Sequence, residues 1–136
     1  MRIDYTVVGI PKPQARPKFF RNKAGFTGTY SPKTDWFNIV YTRTLEEKTK
    51  RKIRLSGALG LNLIFCMPIP KSISKKKKEQ LHYVIKKPDV DNLAKAAMDA
   101  MNNTGIWEDD SQIACLCVSK IYSEEPRCLI TIEEIA

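Results

Sequence analysis

Lys87-Pro88-Asp89-Val90-Asp91-Asn92-Leu93-Ala94-Lys95 is the stretch from which this chain is read, together with Trp107-Glu108-Asp109-Asp110-Ser111-Gln112 downstream. Pro88 suits the turn before a helix, and Asp89 or Asp91 can accept hydrogen bonds from the free amides of its first turn. From Asp91 onward the apolar residues have helical period, with Leu93, Ala96, Ala97, Ala100 and Met101 in one stripe. Asp91, Lys95, Asp99 and Asn102 take the other side, and Asp91 and Lys95 are one turn apart. Asn103-Thr104-Gly105 ends the helix, with Gly105 in the left-handed position. Asp109 and Asp110 come just before a strand-like run. A helix start and a strand start that meet would bring Asp89, Asp91 and Asp110 together, with Lys95 beside them. Gathered carboxylates repel one another, and a hard divalent cation with oxygen ligands neutralises them. Each acid taken singly has a plainer reading, as a helix cap or as half of a surface pair with Lys95 worth a few tenths of a kcal/mol. Capping accounts for one acid per helix, however, and this chain supplies several with a lysine in phase, so the set predicts a metal site.

The chain has 136 residues, which predicts one domain over 1–136. Its 23 Lys and Arg against 15 Asp and Glu give a formal charge of +8. A basic chain with an acidic cluster fits a polyanion binder that performs metal-assisted chemistry on phosphates. Cys66, Cys115, Cys117 and Cys128 form no C-x-x-C pair, and the chain has one histidine, His82, so a zinc site is not expected. All four cysteines fall in apolar strand-like runs and read as buried, reduced thiols of a cytosolic protein. With no signal peptide and no apolar run of membrane length, a cytoplasmic protein without membrane attachment is predicted.

Ile3, Tyr5 and Val7 alternate with Asp4 and Thr6 as a first strand. The prolines of 11–21 exclude regular helix. That segment interleaves Lys12, Arg16, Lys18 and Arg21 with Phe19 and Phe20, a mix suited either to phosphates and stacked bases or to a basic loop with its aromatics turned into the core. Residues 22–30 read as a hairpin or mobile loop. Ser31-Pro32 reads as the start of a helix that turns Trp36, Phe37, Val40, Tyr41, Thr44 and Leu45 inward and ends in a basic cluster suited to the helix dipole. Leu59, Leu61, Leu63 and Phe65 alternate in a strand over 57–67. Ser72 or Ser74 can cap a short helix carrying Lys75, Lys76, Lys77 and Lys78, a run that reads as a nucleic-acid contact or a solvated face. A long strand over 111–122 and a last one through Cys128, Ile130 and Ile132 follow. The sum is an α+β domain with a mixed or mostly antiparallel sheet and helices packed on one face.

The K-P-D-x-D-N run at 87–92 with Leu93, Lys95 and Asp99, and Asp109-Asp110-Ser111-Gln112-Ile113, resemble the signature of the RusA family of Holliday junction resolvases. Pro11-Lys12-Pro13 with Arg16-Pro17 resembles the family's basic N-terminal segment, with a departure at Pro13-Gln14-Ala15. Tyr30-Ser31-Pro32 resembles its helix start, and Lys120-Ile121-Tyr122 its late strand. The resemblance implies metal-binding carboxylates at Asp89, Asp91 and Asp110, a catalytic lysine at Lys95, and Asp109 as an accessory acid. It further implies Mg²⁺ as cofactor, phosphodiester hydrolysis, a RusA-like fold and a homodimer, in proteins often of phage or prophage origin.

The function expected is therefore a Mg²⁺-dependent endonuclease that resolves four-way junctions by paired symmetric cuts, in recombination and repair, near the nucleoid of a bacterial or phage-infected cell. Lys12, Arg16, Lys18, Arg21, Lys75, Lys76, Lys77, Lys78 and Lys87 are the expected DNA contacts. The alternatives are a metal-dependent nuclease for other branched or flapped DNA, and an inactive DNA-binding protein of the same fold.

Overall fold

The computed structural model describes residues 1–15, 18–30 and 34–136, the side chain of Tyr30 excepted. Four strands form the main sheet in the order β1-β6-β4-β5: β1 (Arg2–Val8), β6 (Arg127–Glu134), β4 (Leu59–Pro68) and β5 (Ile113–Ser123). β6 is antiparallel to both β1 and β4, whereas β4 and β5 run parallel. The sheet is thus mixed, and the fold is α+β.

Alternation along the strands decides which face is covered. Ile3, Tyr5 and Val7 of β1, Leu61, Leu63 and Phe65 of β4 and Ile130 and Ile132 of β6 are buried and share the core. Helices α1 (Asp35–Arg51) and α3 (Val90–Asn103) pack against each other and on the strands. The buried stripe of α3 is Leu93, Ala94, Ala96, Ala97, Ala100 and Met101, and its small alanines let α1 approach closely. Trp36, Phe37, Val40 and Thr44 bury the matching side of α1, while Tyr41 packs partly buried at its margin.

Several boundaries differ from those expected. α1 is capped by Thr34, whose hydroxyl accepts from the Phe37 amide at 3.1 Å, so its first helical residue is Asp35. Arg16 and the expected helix start at Ser31-Pro32 lie outside the described residues. Residues 18–30 form a separate hairpin, β2 (Lys18–Arg21) with β3 (Thr27–Tyr30). Phe19 is 87% exposed and does not enter the core, and Phe20 packs on Phe26 within the hairpin. Short helix α2 (Lys75–Lys78) is capped by Ser74. Ser111 belongs not to β5 but to a 3₁₀ turn, Asp110–Gln112. Cys66 and Cys128 are buried as expected, but Cys115 and Cys117 are exposed, because they stand on the face of the sheet away from the helices, beside Gly60 and Asn62 of β4.

Glu47 is buried among the inward-facing residues of α1, which no apolar pattern predicts. Arg43 reaches it at 2.7 Å and Arg51 at 2.8 Å, each one turn away. Arg43 also donates to the Thr6 carbonyl at 3.1 Å and lies over the Tyr5 ring, tying α1 to β1. The two guanidinium groups hold the Glu47 carboxyl below its ordinary value against the opposing effect of burial.

Candidate active site

Asp89 stands at the N-cap position of α3 with extended backbone, but its side chain makes no capping bond. Asp91 follows in the first turn, and Lys95 stands one turn further along the same exposed side. Among the described residues, neither Asp89 nor Asp91 has a hydrogen bond or salt bridge to its carboxylate. The expected capping role is therefore not the one these acids play.

The helix is held firmly at its other end. The Thr104 hydroxyl donates to the Met101 carbonyl at 2.6 Å, Gly105 takes φ 73°, and Lys48 of α1 donates to the Thr104 carbonyl at 3.1 Å. Trp107 is fully buried, with its indole N–H donating to Asn102 at 2.9 Å. These anchors return the acidic loop 108–110 toward the side of α3 that carries Asp91 and Lys95. There the two neighbouring acids part. Asp109 caps the 3₁₀ turn: its carboxylate accepts from the Ser111 amide at 3.1 Å, and the Gln112 side chain accepts from the Glu108 and Asp109 amides. The Ser111 bond holds the Asp109 carboxyl below its ordinary value. The spacing Asp109-x-x-Gln112 is a capping box and could have been recognised as one.

Asp110 instead lines a groove of about 500 Å³ between α3 and β5 with Asp91, Lys95 and Asp99. Burial pushes the Asp99 carboxyl above its ordinary value; the Lys95 charge pulls it back, and Asp110 adds to the rise. Asp89 faces a second, larger cleft of about 1030 Å³, which it shares with Lys12, Lys86, Lys87, Asn92 and Tyr122. Lys95 lines both. The site is thus two adjoining clefts, one acidic and one mostly basic, with Lys95 on the border.

The expected meeting of Asp89, Asp91 and Asp110 at one point is not found. Among the described residues no three His, Cys, Asp or Glu side chains are gathered closely enough to hold a metal ion. The donor chemistry nevertheless fits a hard cation: the acids not engaged in capping supply only carboxylate oxygens, the ligands that Mg²⁺ takes. Of the expected DNA contacts, Lys12 and Lys87 line the large cleft. Lys18 and Arg21 are exposed on β2, and Lys75, Lys76 and Lys77 on α2. Lys78 is paired with Glu124 at 2.5 Å.

One residue that shapes the candidate site escaped the reading of the sequence. Lys120 of β5 donates from Nζ to the carbonyls of Lys86 and Pro88, each at 2.8 Å. The Val84 amide donates to the Lys120 carbonyl at 3.1 Å, and the Tyr122 amide to the His82 carbonyl at 2.9 Å. Residues 82–88 are thereby stitched along β5 as a strap that delivers Asp89 to its place. The signal available was the Lys120-Ile121-Tyr122 motif, whose lysine is otherwise an odd choice for an inner portion of a strand.

The model of the endodeoxyribonuclease RusA family matches residues 9–133, which span both clefts and the strap. The chain belongs to the RusA endodeoxyribonuclease family. It is 36% identical over 141 residues to "Uncharacterized protein YqaN" of Bacillus subtilis (strain 168), covering 98% of this chain and 97% of that one. It is also 29% identical over 127 residues to "Crossover junction endodeoxyribonuclease rusA" of Lactococcus phage r1t, covering 93% of this chain and 86% of that one. Asp89, Asp91, Lys95 and Asp110 lie within the matched residues.

Proposed function

We propose that this chain is a Mg²⁺-dependent endonuclease that resolves four-way (Holliday) junctions as a homodimer, by symmetric hydrolysis of one phosphodiester in each of two strands. The observation that carries the reading is the placement of Lys95 between an acidic groove and a basic cleft, in a chain of the RusA family. The basic cleft suits a DNA backbone, with Lys12, Lys86 and Lys87 at its phosphates and the Tyr122 ring available to a sugar or base. A strand lying there would bring its phosphates past Lys95 toward the acids.

Asp91 and Asp110, joined by Asp89, are the residues that would hold the metal. Bound there, Mg²⁺ supplies Lewis acidity toward the scissile phosphate and lowers the pKa of an attacking water. Lys95 stabilises the charge that grows on the phosphate oxygens. Asp99 lines the same groove, where the Lys95 charge offsets part of the cost of its burial. A protein that only bound DNA would gain nothing from unpaired carboxylates beside phosphates, which argues against the inactive alternative. The role follows as recombination and repair in a bacterial or phage-infected cell. Among the described residues no helix is long and apolar enough to cross a membrane.

The test is cleavage of an end-labelled mobile four-way junction with and without Mg²⁺, beside flap and linear duplex substrates. Junction cleavage that depends on Mg²⁺ and exceeds flap and duplex cleavage supports the reading. Equal cutting of flaps supports the broader branched-DNA nuclease, and binding without cutting supports the inactive form.

A further inference from the structure

The hairpin of β2 and β3 is a two-stranded sheet of its own and, among the described residues, pairs with no strand of the main sheet. A ribbon of two strands is marginal by itself, so what holds it together is local. Asn22 closes the turn. Its side chain accepts from the amides of Ala24 and Phe26 at 3.0 and 2.9 Å, and its backbone amide donates to the Phe26 carbonyl at 2.9 Å. Gly25 takes φ 83° there and donates to the Asn22 carbonyl at 3.0 Å. The register sets Phe20 opposite Gly28. The Phe20 ring lies over that glycine, where a Cβ would meet it at 2.8 Å, and Phe26 packs on the same ring with centroids 6.3 Å apart. One face of the ribbon is thus closed by its own aromatics.

The other face is not. Alternation puts Phe19 and Arg21 there, with Thr29 and Thr27 opposite them. Arg21, Thr27 and Thr29 are exposed, and Phe19 is 87% exposed against 42% for Phe20 and 62% for Phe26. The ribbon displays a phenyl ring that its own packing does not use. Scattered apolar side chains on a surface are ordinary, but this one stands among cations. Between Asp4 and Asp35 the sequence has no acid, and Lys18, Arg21 and Lys23 of the hairpin are exposed. We propose that the hairpin is a stacking finger for an unpaired DNA base, with the Phe19 ring taking the face of the base and Arg21 a neighbouring phosphate. The proposal rests on the nuclease reading above and names the part of the substrate that the hairpin recognises.

The occupant follows from the chemistry. Phenylalanine has no donor, so it does nothing for a phosphate, and in a paired duplex both faces of a base are already stacked. At a branch the stack is interrupted, and a base face that comes free stacks on an aromatic ring whatever its sequence. A protein partner fits less well, because it needs a contiguous apolar patch and the neighbours of Phe19 on its face are two threonines and an arginine. The position also suits the site. Ala15 lines the large cleft, and Phe19 is four residues further on, within about 15 Å of it. Nucleotides are spaced about 3.4 Å along a duplex strand, so a strand with its phosphates in the cleft comes within about four nucleotides of the ring.

The experiment is a gel-shift series on the full chain in EDTA, which prevents cutting. The labelled probes are a four-way junction, a paired duplex, and the same duplex carrying an unpaired bulge. Phe19→Ala is expected to weaken binding to the junction and the bulged duplex by about 5- to 150-fold and to leave the paired duplex within about twofold. Phe19→Trp should bind as wild type does, and its added indole emission should be quenched by the bulged probe and not by the paired one. Phe19→Leu, which keeps apolar bulk without a flat ring, should bind as Phe19→Ala does. Arg21→Ala should weaken all three probes alike, as loss of a phosphate contact does.

Full binding by Phe19→Ala or Phe19→Leu, or an equal loss on the paired duplex, would overturn the proposal. So would a self-association of wild type on sedimentation that Phe19→Ala abolishes, since the ring would then belong to a contact between copies. Junction cleavage in Mg²⁺ is scored separately. A wild type that prefers the bulge through Phe19 yet cuts no junction counts against the resolvase reading alone. A wild type that cuts junctions, beside a Phe19→Ala chain that binds every probe as well, counts against the finger alone.

Discussion

Replacing Lys120 by Met tests whether the strap positions the site. Methionine keeps the length and apolar stem of lysine and removes only the ammonium, which donates at 2.8 Å to the carbonyls of Lys86 and Pro88. A hydrogen bond from a charged donor contributes about 1.5–3 kcal/mol, and less where water competes. The Lys86 carbonyl is exposed and the Pro88 carbonyl partly buried, so the pair together is worth about 2 kcal/mol. That is a change of about thirtyfold in the balance between the docked and released strap. The backbone bonds of His82 and Val84 to β5 remain, so release is confined to the segment just before Asp89. The expected result is a fall of about ten- to thirtyfold in kcat for junction cleavage, with KM nearly unchanged. Hydrogen exchange should quicken across 82–89 and not across α3, and Lys120→Arg, which keeps donors within reach, should recover part of the rate. Unchanged cleavage with unchanged exchange would refute the positioning role. Loss of cleavage accompanied by faster exchange throughout would show Lys120 to be a general prop of the sheet.

Asp91→Asn should lower junction cleavage by about a hundredfold or more while leaving binding intact or tighter, since it removes a ligand charge and a repulsion from phosphate together; equal loss of both in a gel-shift and cleavage pair would make Asp91 structural. Lys95→Ala should reduce kcat steeply with little change in junction Kd, measured by single-turnover kinetics, and a rate within a few-fold of wild type would return Lys95 to a surface role. Alanine at Lys75, Lys76 and Lys77 should weaken binding and flatten its log–log salt dependence by about one unit per lost phosphate contact, whereas an unchanged slope would mean a solvated face. Glu47→Gln should cost about 1–2 kcal/mol, or about 3–7 °C in Tm, because Arg43 and Arg51 retain solvent when the charge goes. The Glu47 carboxyl is depressed below its ordinary 4.5, so its contribution is present above that pH and is lost as the pH falls through the lower folded value; thermal melts of wild type and variant should converge on acidification.

What was legible in the chain followed periodicity and local stops. The stripe of α3, the alternation of β4 and the left-handed Gly105 are properties of a few consecutive residues, and each stands where the pattern puts it. Hidden were properties set by distant partners. Glu47 is buried because cations one turn away on either side neutralise it, so a charge stands where an apolar residue was expected. Asp109 and Asp110 are alike in composition and differ only through Gln112, which engages the backbone of one and frees the other for the groove. Cys115 and Cys117 alternate as inner-strand residues do, and their exposure depends on which face of the sheet the helices cover, a matter of tertiary packing. Convergence of the acids was expected from the proximity of two element starts, but among the described residues no three acids gather at one point, and Asp89 lines the basic cleft.

The placement of β6 between β1 and β4 bears on how the protein comes into being. Of the described strands β1 leaves the ribosome before the others and β6 after them, and among the described residues β1 has no other partner in the sheet. Until residues 127–134 emerge, β1 stays unpaired and β4 keeps one edge open. Chains grow at about 5–20 residues per second, so this wait lasts seconds, with apolar strands held apart that later form the core. Pairing across nearly the whole chain is also slow to close once it becomes possible. A chain stalled before β6 therefore holds every acid of the candidate site without the sheet on which that site is built. In a chain of an endodeoxyribonuclease family, the candidate site therefore has its supporting sheet only when residues 127–134 are in place.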